Sequence, residues 1–264
     1  MNKISKNTQK ELLEEKHNQY NTPEFIKSDP IQIAHQFSKK EDIEIIAFLS
    51  STIAWGNRKM IIRNAKKIVD IMHNNPYEFI INLSKADLEN INDFTHRTFQ
   101  LVDFKYFLAA LQYIYKNHKG LEEVFTQGYK TDRTIYSAIK YFREIFFELP
   151  HEKRTEKHIA NIEKKSAAKR LNMFLMWMIR KDKRGVHFGL WKDIPTSALK
   201  IPLDVHVGNT ARALGMLTRK QNDWKAVEEL TDNLKKFDKK DPVKFDFALF
   251  GLGVFEKFGK SKTN

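Results

Sequence analysis

Two ionisable residues, Lys169 and Asp204, each lie where a predicted helix begins. A deprotonated lysine amine is a nucleophile, and a carboxylate can serve as its base or stabilise a positive charge that develops during a reaction. If the two helix starts face each other across a cleft, the pair has the residue types for catalysis. A plainer interpretation stays open, because an Asp before a helix is usually an N-cap and a helical Lys is usually a solvated charge.

The two helices are predicted from local patterns. The helix that begins at Lys169 carries an apolar stripe at i, i+3, i+4 and i+7. The stripe consists of Leu171, Phe174, Leu175 and Met178. Lys169 itself lies off this stripe. A connector with glycines and a proline then leads through Ile-Pro-Leu-Asp into a second helix, predicted from about Val205 to Leu217.

A third acidic residue, Asp246, lies in an apolar stretch of the last predicted helix. An ionised carboxylate in such surroundings is costly unless it is paired or hydrogen-bonded. We predict that this helix opens with Asp241-Pro242, which places Asp246 beyond the first turn, so that capping does not explain it. Asp246 is therefore either half of a buried pair, with an arginine or with the N–H groups of another helix, or a functional acid.

Composition narrows the class of protein. The chain has 264 residues, enough for one sizeable domain or two lobes, and its net charge is +13, which favours a polyanionic partner such as nucleic acid. It has no cysteine, which excludes disulfides, Cys-ligated zinc and iron–sulfur clusters and fits the reducing cytoplasm, where we expect the protein. The sequence shows neither the apolar region of a signal peptide nor a membrane span of roughly 20 apolar residues, so we expect no membrane association.

The pattern along the chain is helical throughout. No sustained period-2 alternation and no Asn-Gly or Asp-Gly turn is present, so we predict an all-α protein. The first 20 residues are weakly patterned and read as a short helix or an arm. The histidines are scattered, and glycine-rich phosphate loops and a GxSxG motif are missing. We therefore expect no metal site and no cofactor.

Basic residues concentrate in two regions. Residues 57–74 form a strongly amphipathic predicted helix, capped by Asn57, and residues 151–170 form a basic connector. The candidate DNA contacts in these regions are Arg58, Lys59, Arg63, Lys66, Lys67, Lys164, Lys165 and Arg170. A basic face is usually just solvated, but on a net-basic protein it is a candidate for binding phosphates.

Three segments resemble the helix-hairpin-helix DNA glycosylase superfamily: KRLNMFL, IPLDVHVGNTARALGML and KFDFALFGLG. The likeness is to a divergent branch that includes the archaeal 8-oxoguanine glycosylases and a little-characterised bacterial family. Lys169 matches the lysine that opens the helix after the hairpin, and Asp204 matches the catalytic Asp in a Val/Leu-Asp-x-His/Arg-Val pattern. The likeness covers residues 165–255 and, less closely, 41–75. The superfamily's Leu-Pro-Gly-x-Gly hairpin is replaced here by IEKKSAA.

The resemblance implies a two-lobed helical architecture with a cleft between the lobes. Residues 41–183 would form one lobe, and residues 1–40 together with 184–264 the other. The implied function is a base-excision repair glycosylase with AP lyase activity, in which Lys169 forms a Schiff base and Asp204 stabilises the sugar cation. Its substrate would be double-stranded DNA with a damaged base or an abasic site. The damaged base that we expect first is an oxidised purine, 8-oxoguanine. We expect it to act as a monomer.

The resemblance also suggests how a base would be recognised. Asp246 and Phe250 are four residues apart and project from one helix face. The archaeal glycosylases show an acid and an aromatic ring at this spacing, the acid recognising the base and the ring stacking on it. We assign Trp55 to base recognition as well. Phe250 has a second interpretation as a core residue, because its helix is apolar almost all round.

Two other classes of function remain open. One is a non-catalytic helical DNA- or RNA-binding protein that keeps the fold and the basic surface. The other is a protein-interaction module whose charge is incidental. Lys169 and Asp204 together distinguish the enzyme from both, because simple binding requires neither residue.

Overall fold

The computed structural model describes residues 5–258, and over this range the protein is all-α, as predicted. Its α-helices, α1 to α14 in chain order, are Lys6–Tyr20, Pro23–Ser28, Ile31–Ala34, Lys40–Thr52, Arg58–Ile71, Pro76–Asn82, Lys85–Asn90, Leu101–Asn117, Leu121–Asp132, Ile135–Phe146, Lys169–Ile179, Val205–Ala213, Trp224–Lys235 and Asp246–Val254. Three 3-10 segments are Lys153–His158, Thr196–Ala198 and Pro242–Phe245. None of the described helices is long and apolar enough to cross a membrane.

The chain divides into two compact units. The middle unit consists of residues 26–161, and the terminal unit consists of the residues up to 25 together with those from 162 onward. Both boundaries differ from those of the lobes predicted from the sequence, which grouped residues 162–183 with the middle of the chain and residues 26–40 with its ends. The helix that carries Lys169 therefore lies in the same unit as Asp204 and Asp246.

The middle unit has a core rich in phenylalanine around α4. The ring of Phe48 on this helix lies 6.0 Å from Phe107, 5.5 Å from Phe142 and 5.7 Å from Phe146, measured between ring centroids. Helices α9 and α10 form a tight pair at Gly128, where a Cβ atom would lie 2.7 Å from the Cβ of Tyr141. This core supports α5, which presents the basic face at its surface.

The terminal unit is built around α14, which packs between α1 and α12. Two glycines make this close packing possible. A Cβ atom at Gly251 would lie 2.1 Å from the ring of Tyr20, and one at Gly253 would lie 2.8 Å from Thr210 Oγ1 on α12. The helix with Asp246 is thereby packed directly against the helix that Asp204 caps.

A buried arginine joins the end of α11 to the start of the last 3-10 segment. Arg180 is 1% exposed, and its Nε donates to both carboxylate oxygens of Asp241, at 3.1 and 2.9 Å. Its Nη1 lies 2.9 Å from Asp182. Burial raises the pKa of Asp241, although the Arg180 charge opposes this effect. Removing one partner from such a buried pair typically costs about 3–5 kcal/mol, so the pair is a strong constraint on this unit.

Three predicted elements differ from the observed ones. The last helix does not open at Asp241-Pro242, because Pro242–Phe245 is a 3-10 segment and α14 begins at Asp246. The helix after Asp204 ends at Ala213 rather than at Leu217. The first 20 residues, predicted as a short helix or arm, contain the 15-residue helix α1.

Candidate active site

The turn that precedes Lys169 is closed by a hydrogen bond from the N–H of Lys165 to the carbonyl of Ile162, at 2.8 Å. Lys165 and Ala168 have φ angles of 67° and 47°, in the left-handed region that favours glycine. A non-glycine residue there costs roughly 1–2 kcal/mol. The IEKKSAA segment thus forms a strained turn directly before Lys169, with no glycine to relieve the strain.

Lys169 is the first residue of α11 and is half-buried. Its Nζ lies 3.5 Å from the sulfur of Met173, one turn further along the same helix. Asn172 fixes the helix to the turn, because its side-chain amide donates to the carbonyl of Ala167 at 3.1 Å and its N–H donates to Ala168 at 2.9 Å. Lys169 therefore begins α11, as predicted.

The three basic residues around this turn differ in exposure. Lys164 and Lys165 are exposed, whereas Arg170 is half-buried. Burial lowers the pKa of the Arg170 guanidinium to about 10, which still leaves it charged at pH 7. Lys164 and Lys165 are therefore better placed than Arg170 to meet a phosphate from solvent.

Asp204 is the N-cap of α12, as its sequence context predicts. Its Oδ1 accepts the N–H of Val207 at 2.9 Å, and the carboxylate is half-buried. The next residue, Val205, is 62% exposed, so the start of the helix is open to solvent. An ionised carboxylate offers about four lone-pair positions, and a single capping bond does not use them up.

A short segment joins these two helix starts within the terminal unit. The side chain of Asn222 donates to the carbonyl of Asp204 at 3.1 Å. Asp223 forms an isolated antiparallel bridge with Ser166, and the N–H of Trp224 donates to the carbonyl of Lys165 at 3.1 Å. Three consecutive residues therefore link the Asp204 backbone to the turn that ends at Lys169. No sequence motif marks this segment.

Asp246 is half-buried in the first turn of α14. This corrects the expectation that it lies beyond the first turn of its helix, and the cause is the 3-10 segment that precedes it. A carboxylate in the first turn of an α-helix interacts favourably with the positive end of the helix dipole. Five residues earlier, Asp241 forms a buried pair with Arg180.

Phe250 lies one turn after Asp246 and is also half-buried, whereas the three residues between them are buried. Its ring packs at the edge of the terminal unit's core. It meets Phe25 edge-on at 6.3 Å and Phe255 at 6.2 Å, between ring centroids. Asp246 and Phe250 thus share the less buried face of α14, and Phe250 has both a packed edge and an accessible one.

Trp55 lies in the middle unit, just after α4, and is half-buried. Its carbonyl accepts a hydrogen bond from Nε2 of His96 at 3.1 Å, so that Nδ1 of the same ring is the acceptor for the Asn64 amide at 2.9 Å. Its indole stacks on His158 at 6.1 Å, and His158 lies 3.3 Å from the buried Asp103. The indole is held in a fixed orientation.

The basic residues of α5 differ in exposure. Lys59, Arg63 and Lys66 are exposed, whereas Arg58 and Lys67 are half-buried. Lys67 pairs with Asp93 at 2.5 Å. Helix α5 is capped by Asn57, whose side chain accepts the N–H of Met60, as predicted.

Lys200 is a second lysine with unusual surroundings in the terminal unit. It is half-buried between Leu199 and Ile201, both of which are fully buried. Burial, with a smaller contribution from the charge of Lys235, lowers the pKa of its amine. Its apolar neighbours in the sequence were the available signal for this environment. Within residues 5–258, no group of His, Asp and Glu side chains has the arrangement of a metal site.

The fold and these sites define an all-α protein with a lysine and an aspartate at two helix starts of one compact unit. A family model described as "Protein of unknown function (DUF2400)" matches residues 29–255, which is most of the chain. The chain therefore belongs to this family. No curated protein and no solved structure matches it.

Proposed function

We propose that the protein is a DNA N-glycosylase with AP lyase activity. The observation that carries the proposal is the link between Lys169 and Asp204. Both lie at helix starts of the terminal unit, and residues 222–224 join the Asp204 carbonyl to the turn that ends at Lys169. The residue types, the two helix starts and the resemblance of the surrounding segments to helix-hairpin-helix glycosylases all support this proposal.

The carboxylate of Asp204 has a defined task in this reaction. Breaking the bond between a base and C1′ of its sugar leaves positive charge on the sugar, which a nearby carboxylate stabilises. The electrons of the broken bond leave with the base, which takes up a proton. Asp204 is suited to this role because its carboxylate is half-buried, which strengthens its electrostatic effect, and its orientation is fixed by the N–H of Val207.

The amine of Lys169 supplies the lyase step. Its Nζ forms a bond to C1′, and opening of the sugar ring between C1′ and O4′ gives a protonated Schiff base. This cation acidifies the C2′ protons, and loss of one of them expels the 3′ phosphate by β-elimination. A free lysine amine is mostly protonated, with a pKa near 10.4. The nucleophile must therefore lose its proton to a base, a role that we assign to Asp204.

We assign recognition of the base to Asp246 and Phe250 of the terminal unit. A base that is to be removed must leave the stack and enter a pocket. An oxidised purine such as 8-oxoguanine has an N7–H donor that guanine lacks, and a carboxylate accepts this hydrogen. Asp246 and Phe250 share the less buried face of α14, and we assign the hydrogen bond to the carboxylate and the stacking to the ring.

The phosphates of double-stranded DNA would meet the basic residues. The net charge of +13 favours this partner, and Lys59, Arg63, Lys66, Lys164 and Lys165 are exposed. Arg58, Lys67 and Arg170 are half-buried, so we assign them a smaller part.

One observation favours a second candidate function. Asp204 caps α12 just as an ordinary N-cap does, and this bond alone would explain its presence. The second candidate is accordingly a non-catalytic DNA- or RNA-binding protein.

The test is release of a damaged base. Duplexes that each contain one lesion, including 8-oxoguanine, and an undamaged duplex are incubated with the protein in excess. Free base and strand breaks are then measured separately. We expect base release from the oxidised purine duplex and cleavage at an abasic site. Salt-sensitive binding without release from any duplex would favour the non-catalytic candidate.

A further inference from the structure

The side chain of Asn222 makes hydrogen bonds in two directions. Its amide nitrogen donates to the carbonyl of Asp204 at 3.1 Å, and its oxygen accepts from Nη2 of Arg212 at 2.6 Å. A guanidinium can only donate, so the amide oxygen must face Arg212 and the nitrogen must face Asp204. The orientation of the amide therefore follows from its partners.

The surroundings hold this side chain firmly. Arg212 is fixed in turn, because its Nε donates to the carbonyl of Arg219 at 2.8 Å. Gly208 on α12 leaves the space that the amide fills, since a Cβ atom there would lie 2.7 Å from Asn222 Oδ1 and 2.8 Å from Arg212 Nη1. Any other residue at position 208 would displace the contact. A glycine inside a helix is destabilising, and the need for space beside Asn222 and Arg212 explains why a glycine occupies position 208.

The hydrogen bond from Asn222 to the Asp204 carbonyl is additional to the helical hydrogen bonds of α12, which form without it. The carbonyl of Asp204 also accepts the N–H of Gly208 at 2.9 Å, which is the first helical hydrogen bond of α12. A carbonyl oxygen has two lone pairs, so the helix uses one and Asn222 uses the other. Loss of the Asn222 contact would leave the helical bond in place. It would remove one of the two hydrogen bonds that hold the Asp204 carbonyl, so the orientation of this peptide group, and with it the direction of the carboxylate, would be less constrained.

We propose that Asn222 is a positioning residue for Asp204. Its amide fixes the Asp204 backbone, while Asp223 and Trp224 fix the turn before Lys169, so that residues 222–224 set the carboxylate and the amine relative to each other. The proposal rests on the glycosylase function proposed above. It adds that Asn222, acting through the Asp204 backbone, controls the direction of the Asp204 carboxylate.

The test uses two variants of Asn222. The only contact that both variants lose is the hydrogen bond to the Asp204 carbonyl. Asn222→Leu has the shape of asparagine without its amide, and Asn222→Asp keeps an oxygen for Arg212 but has no donor for Asp204. The matched control is Asn233→Leu, because the Asn233 amide also donates to a backbone carbonyl of the terminal unit, that of Met216, at 2.7 Å. The control removes an equivalent bond that does not involve Asp204.

Two measurements are made on the full-length protein. The first is the single-turnover rate of 8-oxoguanine release with DNA affinity measured in parallel. Both Asn222 variants should lose about tenfold to a hundredfold in rate, because small displacements of a catalytic group are costly, while affinity stays unchanged. The second is hydrogen exchange of the Val207 amide, which donates to the Asp204 carboxylate. Its protection should fall in both Asn222 variants and not in the Asn233 control.

The two measurements separate the claims. If the wild type releases no base from any damaged duplex, the glycosylase function is wrong, and exchange at Val207 alone decides whether Asn222 positions Asp204. If both Asn222 variants match the Asn233 control in rate and in Val207 protection, the positioning role is wrong whatever the enzyme does.

Discussion

Asp204 combines a structural contact with the electrostatic role we propose for it. Its Oδ1 accepts the N–H of Val207, and its backbone carbonyl accepts from both Gly208 and Asn222. These contacts fix the carboxylate without exhausting its capacity for further interactions. A fixed charge needs little reorganisation when positive charge appears beside it, and this is what electrostatic catalysis requires.

Replacement of Asp204 by Asn separates the two roles. Asn caps a helix about as well as Asp, so we expect a loss of less than about 1 kcal/mol in the free energy of unfolding. Because the charge is gone, the rate of base release should fall by about 10²–10³. The control is Thr134→Asn, which also exchanges one capping residue for another, at the N-cap of α10 in the middle unit. A large loss of stability with unchanged base release would identify Asp204 as a cap only.

The proposed base-recognition residues can be tested with two substrates. Asp246→Asn and Phe250→Leu should reduce cleavage of 8-oxoguanine DNA by about tenfold or more, because hydrogen bonding and stacking each contribute roughly 1–3 kcal/mol. Cleavage at an abasic site should survive, since that site presents no base to recognise. Phe237→Leu is the control, because Phe237 is half-buried against the same core. Equal losses on both substrates would assign both residues to the core.

Single residues were predictable where their role is local. Lys169 and Asp204 were placed at helix starts because a cap and an apolar stripe are visible in adjacent sequence positions. Asn222 and the Arg180–Asp241 pair were not predictable in the same way. Their partners are distant in sequence, and no local pattern specifies which carbonyl or carboxylate a side chain will meet.

At the level of elements, α14 depends on what packs against it. Gly251 admits the ring of Tyr20 from α1, and Gly253 admits Thr210 from α12. Buried Phe247, beside Asp246, packs against His17, Phe25 and His187. These contacts fix the rotation of the helix about its axis. The rotation determines the direction in which the face with Asp246 and Phe250 points.

His17 makes this packing sensitive to pH. Burial, with the charge of Arg180 and others nearby, lowers the pKa of His17 from 6.5 to about 4. The imidazole of His17 therefore binds a proton more readily in the unfolded chain than in the folded one. The contribution of His17 to the free energy of unfolding is fully present above pH 6.5 and is lost as the pH falls towards 4.

The change to measure is the free energy of unfolding by denaturant at pH 7 and at pH 4.5. At about 1.4 kcal/mol for each pH unit, protonation should cost the wild type roughly 2–3 kcal/mol through His17. His17→Asn keeps a donor for the Lys244 carbonyl, which the ring meets at 2.9 Å, but does not titrate. This variant should lose correspondingly less stability. An identical pH dependence in the two proteins would show that His17 is not responsible.

Helices with a strong amphipathic pattern were predicted more accurately than helices without one. Helix α5 was predicted from its cap and its stripe, and the structure agrees. The last helix was placed too early, because Asp241-Pro242 here opens a 3-10 segment and α14 begins only at Asp246. The residues of α9 were not predicted to form a helix, although α9 forms the tight pair with α10.

For the whole molecule, the positive charge is spread over both units. Exposed basic residues lie on α5 of the middle unit and in the turn before α11 of the terminal unit. A surplus of +13 supports a polyanionic partner, but composition alone does not select which basic residues bind it. Pairs such as Lys67 with Asp93 reduce the number of free charges.

The salt dependence of DNA binding tests the α5 surface. Each phosphate contact contributes about 0.9 to the slope of log affinity against log salt concentration, so Arg63→Glu with Lys66→Glu should lower that slope by about 2. The matched control is Lys116→Glu with Lys130→Glu, two exposed residues of α8 and α9 in the same unit. Equal slopes in these two double variants would place the DNA contacts elsewhere.

The identity of the nucleophile is the central claim, and the terminal unit contains a rival for it. Burial lowers the pKa of Lys200, which is a property expected of a reactive lysine, whereas the case for Lys169 rests on its helix start and its link to Asp204. Position and environment therefore favour different residues, and a covalent experiment can decide between them.

The most direct measurement is borohydride trapping of the protein on DNA that contains an abasic site, followed by identification of the modified lysine. Reduction of the Schiff base makes the adduct permanent. We predict that wild type and Lys200→Ala are trapped on Lys169, and that Lys169→Ala and Lys169→Arg are not trapped while still binding the DNA. Trapping of Lys169→Ala as efficiently as the wild type, or an adduct at Lys200, would contradict the account.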